Sequence, residues 1–497
     1  MKTKDTVLKQ LEEIHNRMLK AEDLKKNKIN GVKAQFRNSA INLVDYLALR
    51  SKNIEVLQKQ LHFMGLSSLA SSESHIKTQV INIMEWLGHK ETTTNEINAT
   101  TGLKQLQQNI STLFGKSEID EAPPIMVTFS TDFGEDFQMM CDLLKNGMQI
   151  ARINCAHDEE YTWVKMIENL KKAVAKMNMP CKVYMDLAGP KIRTQITGKK
   201  EKHAKLKVEL GDEIILTDTE QKAVKGKKII RCTLPGIVEQ LKPEHCVFFD
   251  DGLFEAVVQS VVGKQATLKI VRISSKKSVI KSQKGINFPD TIFQINPITD
   301  YDKKCLPFIA QNADMVGFSF INNANDMQEL QERMSQLNKP ELPIVAKIET
   351  NQAVNNLPSI ILQGMKHNLM GIMIARGDLA VEIGFERLSE IQDEILWICE
   401  AAHTPVIWAT QVLESMNKHG LATRSEITDA THAAEADCVM INKGGHTMEV
   451  LKTLHNIRSR SRKNNYKNRR LFRKLSIAER FILDDVDNRM NEVNVSK

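Results

Sequence analysis

Over roughly the first 120 residues, apolar positions recur at helical spacing, as in Val7, Leu11, Ile14 and Met18 and again in Ile76, Val80, Ile83 and Leu87. That period predicts helices with one buried face. Ser71-Ser72-Glu73-Ser74 stands where a cap for the last of them would, and Glu121-Ala122-Pro123-Pro124 breaks the pattern as a linker does. Nothing in this stretch reads as catalytic. Beyond the linker come short apolar, β-branched runs separated by helical stretches, at 125–130, 149–156, 181–187, 315–321, 344–348, 371–375, 406–410 and 438–442. Buried strands alternating with helices predict a parallel sheet, and eight such strands close a barrel. An open doubly wound sheet is the alternative, although no G-x-G-x-x-G follows the first run.

Between the third and fourth runs the period shortens to alternating segments such as Lys207-Val208-Glu209-Leu210 and Glu213-Ile214-Ile215-Leu216, with turns at Gly211, Gly226 and Gly252. An insertion after a barrel strand sits over the C-terminal rim, where it can serve as a lid. The predicted fold is therefore α/β. It comprises a helical N-terminal extension over 1–122, a (β/α)8 TIM barrel over 123–195 and 285–457, an inserted β lid domain over 196–284, and a basic C-terminal tail over 458–497.

Length and composition agree with this division. The chain has 497 residues, more than one ordinary core organises, and is 42% hydrophobic and 26% charged, a soluble globular balance. No apolar run approaches the ~20 residues of a membrane span, and Met1-Lys2-Thr3-Lys4-Asp5 leads into no signal core. A cytoplasmic protein without a membrane partner is expected. The eight cysteines form no C-x-x-C pair, so free thiols are expected in place of a disulfide framework or a zinc site. The net charge of +7 is concentrated in Arg458, Arg460, Arg462, Lys463, Lys467, Arg469, Arg470, Arg473 and Lys474. With only Tyr466 and Phe472 interleaved, this segment reads as a solvated helical face, and nucleic acid is not an expected partner.

Polar groups at the C-terminal ends of barrel strands point into one mouth. The second run ends with Arg152, Asn154 and His157, and the first two share a strand face. The third ends Asp186-Leu187-Ala188-Gly189-Pro190-Lys191-Ile192-Arg193, the fourth contains Ser319, and the fifth ends Lys347-Ile348-Glu349, again two on one face. The sixth leads into Arg376-Gly377-Asp378 at an apparent helix start, and the seventh ends at Thr410 and Gln411. Singly, each reads as a rim salt bridge. Together, two carboxylates with a lysine and two arginines suit an oxyanion substrate bridged by a divalent metal.

At these strings the chain resembles the pyruvate kinase family. Arg-Ile-Asn with a following His, Asp-x-x-Gly-Pro-x-Ile-Arg-Thr, Asp250-Asp251-Gly252, Lys284-Gly285-Ile286-Asn287, Lys347-Ile348-Glu349, Ala375-Arg376-Gly377-Asp378-Leu379 and Ala409-Thr410-Gln411-Val412-Leu413-Glu414-Ser415-Met416 occur in family order over about residues 124–450. The resemblance implies transfer of the phosphoryl group of phosphoenolpyruvate to ADP. It implies Mg²⁺ or Mn²⁺ on Glu349 and Asp378, with Lys347, Arg152 and Thr410 as catalytic groups. Gly377, Asp378, Arg193 and Ser319 would lie against the substrate, Asn154, His157 and Arg193 against the nucleotide, and Asp250 and Asp251 in the lid. A glycolytic homo-oligomer is expected.

Several strings depart from the family pattern. Ala156 and Leu187 stand where the family has Ser and Thr ligands of potassium, and Lys191 replaces the Glu after Gly-Pro. An ammonium there can substitute for the ion, so no potassium requirement is expected. Phe129-Ser130-Thr131-Asp132-Phe133-Gly134 replaces Thr-Ile-Gly-Pro-Ala-Ser, and Asn442-Lys443-Gly444-Gly445-His446 replaces Ser-Gly-Glu-Thr-Ala. The sequence ends about 50 residues after the barrel, so control through the family's C-terminal domain is not expected. These features resemble a divergent bacterial branch with an N-terminal helical extension containing Gly-Leu-Ser-Ser-Leu, here residues 65–69. Two rival readings are a catalytically idle scaffold and another phosphoenolpyruvate or pyruvate barrel enzyme using metal-enolate chemistry.

Overall fold

The computed structural model describes residues 2–89, 97–115, 123–196, 204–220, 226–274, 278–461, 465–466 and 469–470. Of the basic tail it describes the chain to Ser461 and a short pairing of Asn465–Tyr466 with Arg469–Arg470. The rest of that tail, and Glu121-Ala122 of the predicted linker, lie outside the described residues.

Eight parallel strands form the closed barrel: β1 (Ile125–Thr128), β2 (Met148–Asn154), β3 (Lys182–Asp186), β4 (Met315–Phe318), β5 (Ile344–Ile348), β6 (Met370–Ala375), β7 (Val406–Ala409) and β8 (Cys438–Ile441). Each pairs with its neighbours in sequence, and β8 closes on β1. Every residue of β1 and of β4 to β8 is buried. Strands covered on both faces need apolar residues at consecutive positions, which is why they read as unbroken apolar runs.

The insertion is a seven-stranded sheet that the chain enters at Thr194–Gln195 and leaves at Ile286–Asn287. It is antiparallel except where Glu213–Thr217 runs beside Lys228–Cys232. Ile214, Leu216, Val247, Phe249, Phe254 and Leu268 form its own core, separate from that of the barrel.

Five helices precede the barrel: α1 (Lys2–Asn30), α2 (Arg37–Arg50), α3 (Glu55–Phe63), α4 (Ile76–Trp86) and α5 (Ala99–Phe114). The residues picked out by helical spacing, Val7, Leu11, Ile14, Met18, Ile76, Val80, Ile83 and Leu87, are all buried, in one apolar core continuous with the barrel. The expected cap is corrected. Ser71 to Ser74 put no side-chain cap on α4, the helix of Ile76 that they precede; a capping box, from Asn98 and Thr101, stands instead on α5. At α4, Glu73–His75 form a tight 3-10 turn, and the Ile76 N–H is instead taken by Asn42 Oδ1 of α2 at 3.1 Å. The Ser72 hydroxyl is spent on the Leu69 carbonyl at 2.7 Å.

The helical arm grips the barrel where strands begin. Asn42 donates to the Ala401 carbonyl, Asn109 to the His403 carbonyl, and the Lys33 N–H to the Met365 carbonyl, all in connections that precede β6 or β7. Leu113 of α5, fully buried, lies against Gly371 at the start of β6, where a β-carbon would stand 2.8 Å from it. The arm therefore covers the end of the barrel opposite the C-terminal rim. Among the described residues no helix is long and apolar enough to cross a membrane.

Candidate active site

At the C-terminal rim, β2, β3 and β5 bring four charged groups into one buried cluster. Arg152 Nε and Nη2 donate to Asp186 Oδ2 at 3.1 and 2.5 Å, and Nη1 to Thr128 Oγ1 at 3.0 Å. Lys347 Nζ donates to Ser319 Oγ at 2.6 Å and stands 3.3 Å from Asp186 and 3.2 Å from Glu349. The Tyr184 hydroxyl donates to the other Asp186 oxygen at 3.2 Å. Gly317 of β4 makes room for this bond, since a β-carbon there would collide with both groups. Gly189, at φ +66°, passes so close to Ser319 and Phe320 that a β-carbon would stand 2.9 and 2.8 Å from them.

Burial opposes the charge on Asp186, but Lys347 and Arg152 outweigh it and hold its carboxyl below the usual range. Burial likewise opposes the Lys347 ammonium, and Asp186 with Glu349 outweighs that, so it stays charged. Glu349 goes the other way: burial raises its pKa and Asp378 adds to the rise, against Lys347. Its Oε2 accepts the Phe320 N–H at 2.6 Å.

Asp378 lies in the first turn of α6 (Arg376–Ile383). Both its oxygens are 2.9 Å from Lys191 Nζ. A turn of the insertion lies beside this pair. Asp250 and Asp251 have φ of +52° and +56°, and Asp250 is 2.8 Å from Lys284 Nζ. A β-carbon at Gly285 would be 3.8 Å from Lys191 Nζ and 4.0 Å from Asp251 Oδ1, so lid and barrel charges gather around that glycine. Asn287, at the exit strand of the insertion, donates to Glu382 of α6 at 3.1 Å. Burial, with Asp378 adding, pushes the Glu382 carboxyl up to about 7. Lys191, Asn287, Phe320, Asp378 and Glu382 line a cleft of about 310 Å³.

Thr410 follows β7 in a left-handed conformation, φ +63°, as do Gln411 at +55° and Leu413 at +49°. Arg376 holds this turn: its Nε donates to the Ala409 carbonyl at 2.9 Å, Nη2 to the Thr410 carbonyl, and the guanidinium lies 4.8 Å from the Trp408 ring centre. The Gly377 N–H donates to Thr410 Oγ1 at 2.9 Å. That N–H is thereby committed to the Thr410 side chain.

The remaining expected residues lie to one side. Arg152, Asn154 and His157 line a second cleft, of about 290 Å³. Asn154 Oδ1 accepts the Ala156 N–H at 3.0 Å. Arg193 sits at the root of the lid, donating through Nη1 to the Gln283 carbonyl at 3.2 Å. Burial, then Lys443 and Arg193, lower the His157 pKa. Leu187 is buried and Ala156 exposed, and neither offers a side-chain oxygen.

Asp186, Tyr184, Arg376 and Glu382 are functional neighbours that no sequence expectation covers. A carboxylate closing an apolar run, as Asp186 does, was the available signal. For a metal, Glu349 and Asp378 present only oxygens, and Glu349 senses the charge of Asp378. Among the described residues no group of three or more potential ligands gathers. Two carboxylates are the donor set a hard divalent cation takes when substrate oxygens complete it.

The pyruvate kinase barrel-domain model matches residues 123–448. The chain is 30% identical to pyruvate kinase 1 of Trypanosoma brucei brucei over 364 residues, covering 71% of this chain and 70% of that one. It is 29% identical to the pyruvate kinase of Bacillus licheniformis over 334 residues, 66% of this chain and 55% of that one. For the Candida albicans pyruvate kinase the figures are 32% over 327 residues, 64% and 62%. The chain thus spans between about half and about two thirds of the length of these relatives.

Proposed function

The chain belongs to the pyruvate kinase family, and from that premise we propose that it transfers the phosphoryl group of phosphoenolpyruvate to ADP, giving pyruvate and ATP. The observation that carries this reading is the buried Lys347 ammonium, kept charged between Asp186 and Glu349 with Arg152 beside them. In the reaction the bond from phosphorus to the enol oxygen breaks, one to a β-phosphate oxygen of ADP forms, and the enolate carbon takes a proton. Charge spreads over the phosphoryl oxygens in flight, so fixed positive groups in a dry site supply most of the acceleration.

Lys347 is the group for that charge, and Arg152 holds phosphate oxygens. Mg²⁺ or Mn²⁺ on Glu349 and Asp378 would neutralise charge on the phosphate and enol oxygens. Ser319 and the α6 turn at Gly377 and Asp378 orient the substrate, with Arg193. The Thr410 hydroxyl, fixed by Gly377, stands where a proton passes to the enolate through water. Asn154, His157 and Arg193 face the nucleotide, and Asp250 and Asp251 close the lid. The setting proposed is glycolytic and cytoplasmic, in a homo-oligomer.

We further propose that potassium is not required. Ala156 and Leu187 supply no side-chain oxygen for it, and Lys191 brings a permanent positive charge to the same mouth. A lactate dehydrogenase-coupled assay with phosphoenolpyruvate, ADP and Mg²⁺ in Tris buffer tests both statements. Turnover is expected, within about twofold of its value after potassium is added. No rate in folded protein would leave the idle scaffold as the better reading, and a rate appearing only with potassium would overturn the role given to Lys191.

A further inference from the structure

The string Asn442-Lys443-Gly444-Gly445-His446, one of the departures from the family pattern, follows β8, and β8 lies against β1. Its loop therefore borders the second cleft, which Lys443 lines together with Arg152, Asn154 and His157.

The loop is held in place from below by Asn417 of α7 (Glu414–His419). Asn417 Nδ2 donates to the Asn442 carbonyl at 2.6 Å, and its own carbonyl accepts the His446 N–H at 3.1 Å. Thr447 Oγ1 donates to the Gly444 carbonyl at 2.9 Å, and a β-carbon at Gly444 would collide with the Asn417 side chain. Lys443 is therefore presented from a fixed backbone.

The other charges facing this cleft already have partners. Arg152 is paired with Asp186, Lys418 with Glu414, and Asp158 accepts the Thr131 hydroxyl at 2.8 Å. Lys443 is exposed and, among the described residues, has no ion pair or side-chain hydrogen bond. Its charge reaches His157, as does that of Arg193. The cleft thus places the uncommitted Lys443 ammonium near the Arg193 guanidinium, two positive charges complementary to a polyanion. Arg152 forms the wall shared with the Lys347 cluster, so a phosphate chain lying here ends where the transferred group would be.

We propose that Lys443 anchors the polyphosphate of the acceptor nucleoside diphosphate, a role this chain gives to the loop after β8. The proposal rests on the phosphoryl-transfer reading above and names a ligand contact for it. Lysine binds phosphate as a point charge without a fixed fork, so arginine should substitute for it and alanine should not.

The test is calorimetric titration of the full chain with ADP and with AMP, alongside steady-state KM values. Lys443→Ala is expected to weaken ADP by about tenfold, the loss of one charge-assisted contact, to change AMP by less than about threefold, and to leave KM for phosphoenolpyruvate within about twofold. Lys443→Arg should restore most of the ADP affinity. Equal loss for ADP and AMP, unchanged ADP binding, or a wild type that binds no ADP would each overturn the anchor. ADP binding that depends on Lys443 in a protein with no turnover would support the anchor while sinking the transfer reading.

Discussion

Lys347 is buried and Glu382 half-buried, and their surroundings favour opposite charge states: neighbouring carboxylates keep Lys347 charged, while desolvation favours the neutral form of Glu382. Lys347 has Asp186 and Glu349 to keep it charged, and removing it leaves Glu349 without its cation. Lys347→Met should lower kcat at least about 10³-fold, the scale of losing a principal electrostatic stabiliser. The coupled assay measures this, with a melting curve to show that the variant is folded. Glu382 has a pKa of about 7 in the folded protein against 4.5 for an ordinary carboxyl, so between those values the folded state binds a proton that the unfolded state does not. Its contribution to stability is full below about pH 4.5 and is lost as the pH rises through about 7. Glu382→Gln keeps an oxygen for Asn287 and removes the charge. It should stabilise the protein at pH 8 by on the order of 2 kcal/mol and make no difference near pH 4.5, as read from denaturant midpoints. At this scale the sequence showed that Lys347 and Glu349 share a face, because residues two apart on a strand must. It did not show that Asp186 joins Lys347 to Arg152, since those three come from three strands and meet only when the barrel closes.

Among the elements, the barrel strands were legible to within three residues at their ends, because a strand covered on both faces leaves an unbroken apolar run. The start of α4 was not, because its first free N–H is met by Asn42 from another helix and no local hydroxyl is needed. The distortion of the Thr410 turn was equally hidden: three left-handed non-glycine residues there are held by Arg376, from a different strand end. Helix α5 carries a consequence for stability. Leu113 is fully buried and meets the barrel at Gly371, a position where neighbouring backbone cannot collapse into a void. Leu113→Ala should cost about 3 kcal/mol. Urea unfolding would show it as a lower midpoint at constant slope, and a change under about 1 kcal/mol would mean that α5 is held by its polar contacts instead.

For the molecule as a whole, the helical arm shares one apolar core with the barrel, while the lid has a core of its own. Cooperative units follow packed cores. Native-state hydrogen exchange should therefore find the lid strands Phe254–Val262 and Gln265–Ile273 opening at lower free energy than β1 to β8, and α2 and α4 opening together with the barrel. Arm amides that exchange as readily as those of the lid would contradict this. The division into arm, barrel and insertion was visible in the changes of period along the chain, but the sharing of one core between arm and barrel was not, because periodicity marks a buried face without naming what covers it. That shared packing places the arm at the end of the barrel where strands begin, away from the mouth. A cysteine put in place of Phe63, 86% exposed on the arm, would thus give a point of attachment for a bead or electrode on which the immobilised molecules keep their substrate entrances free.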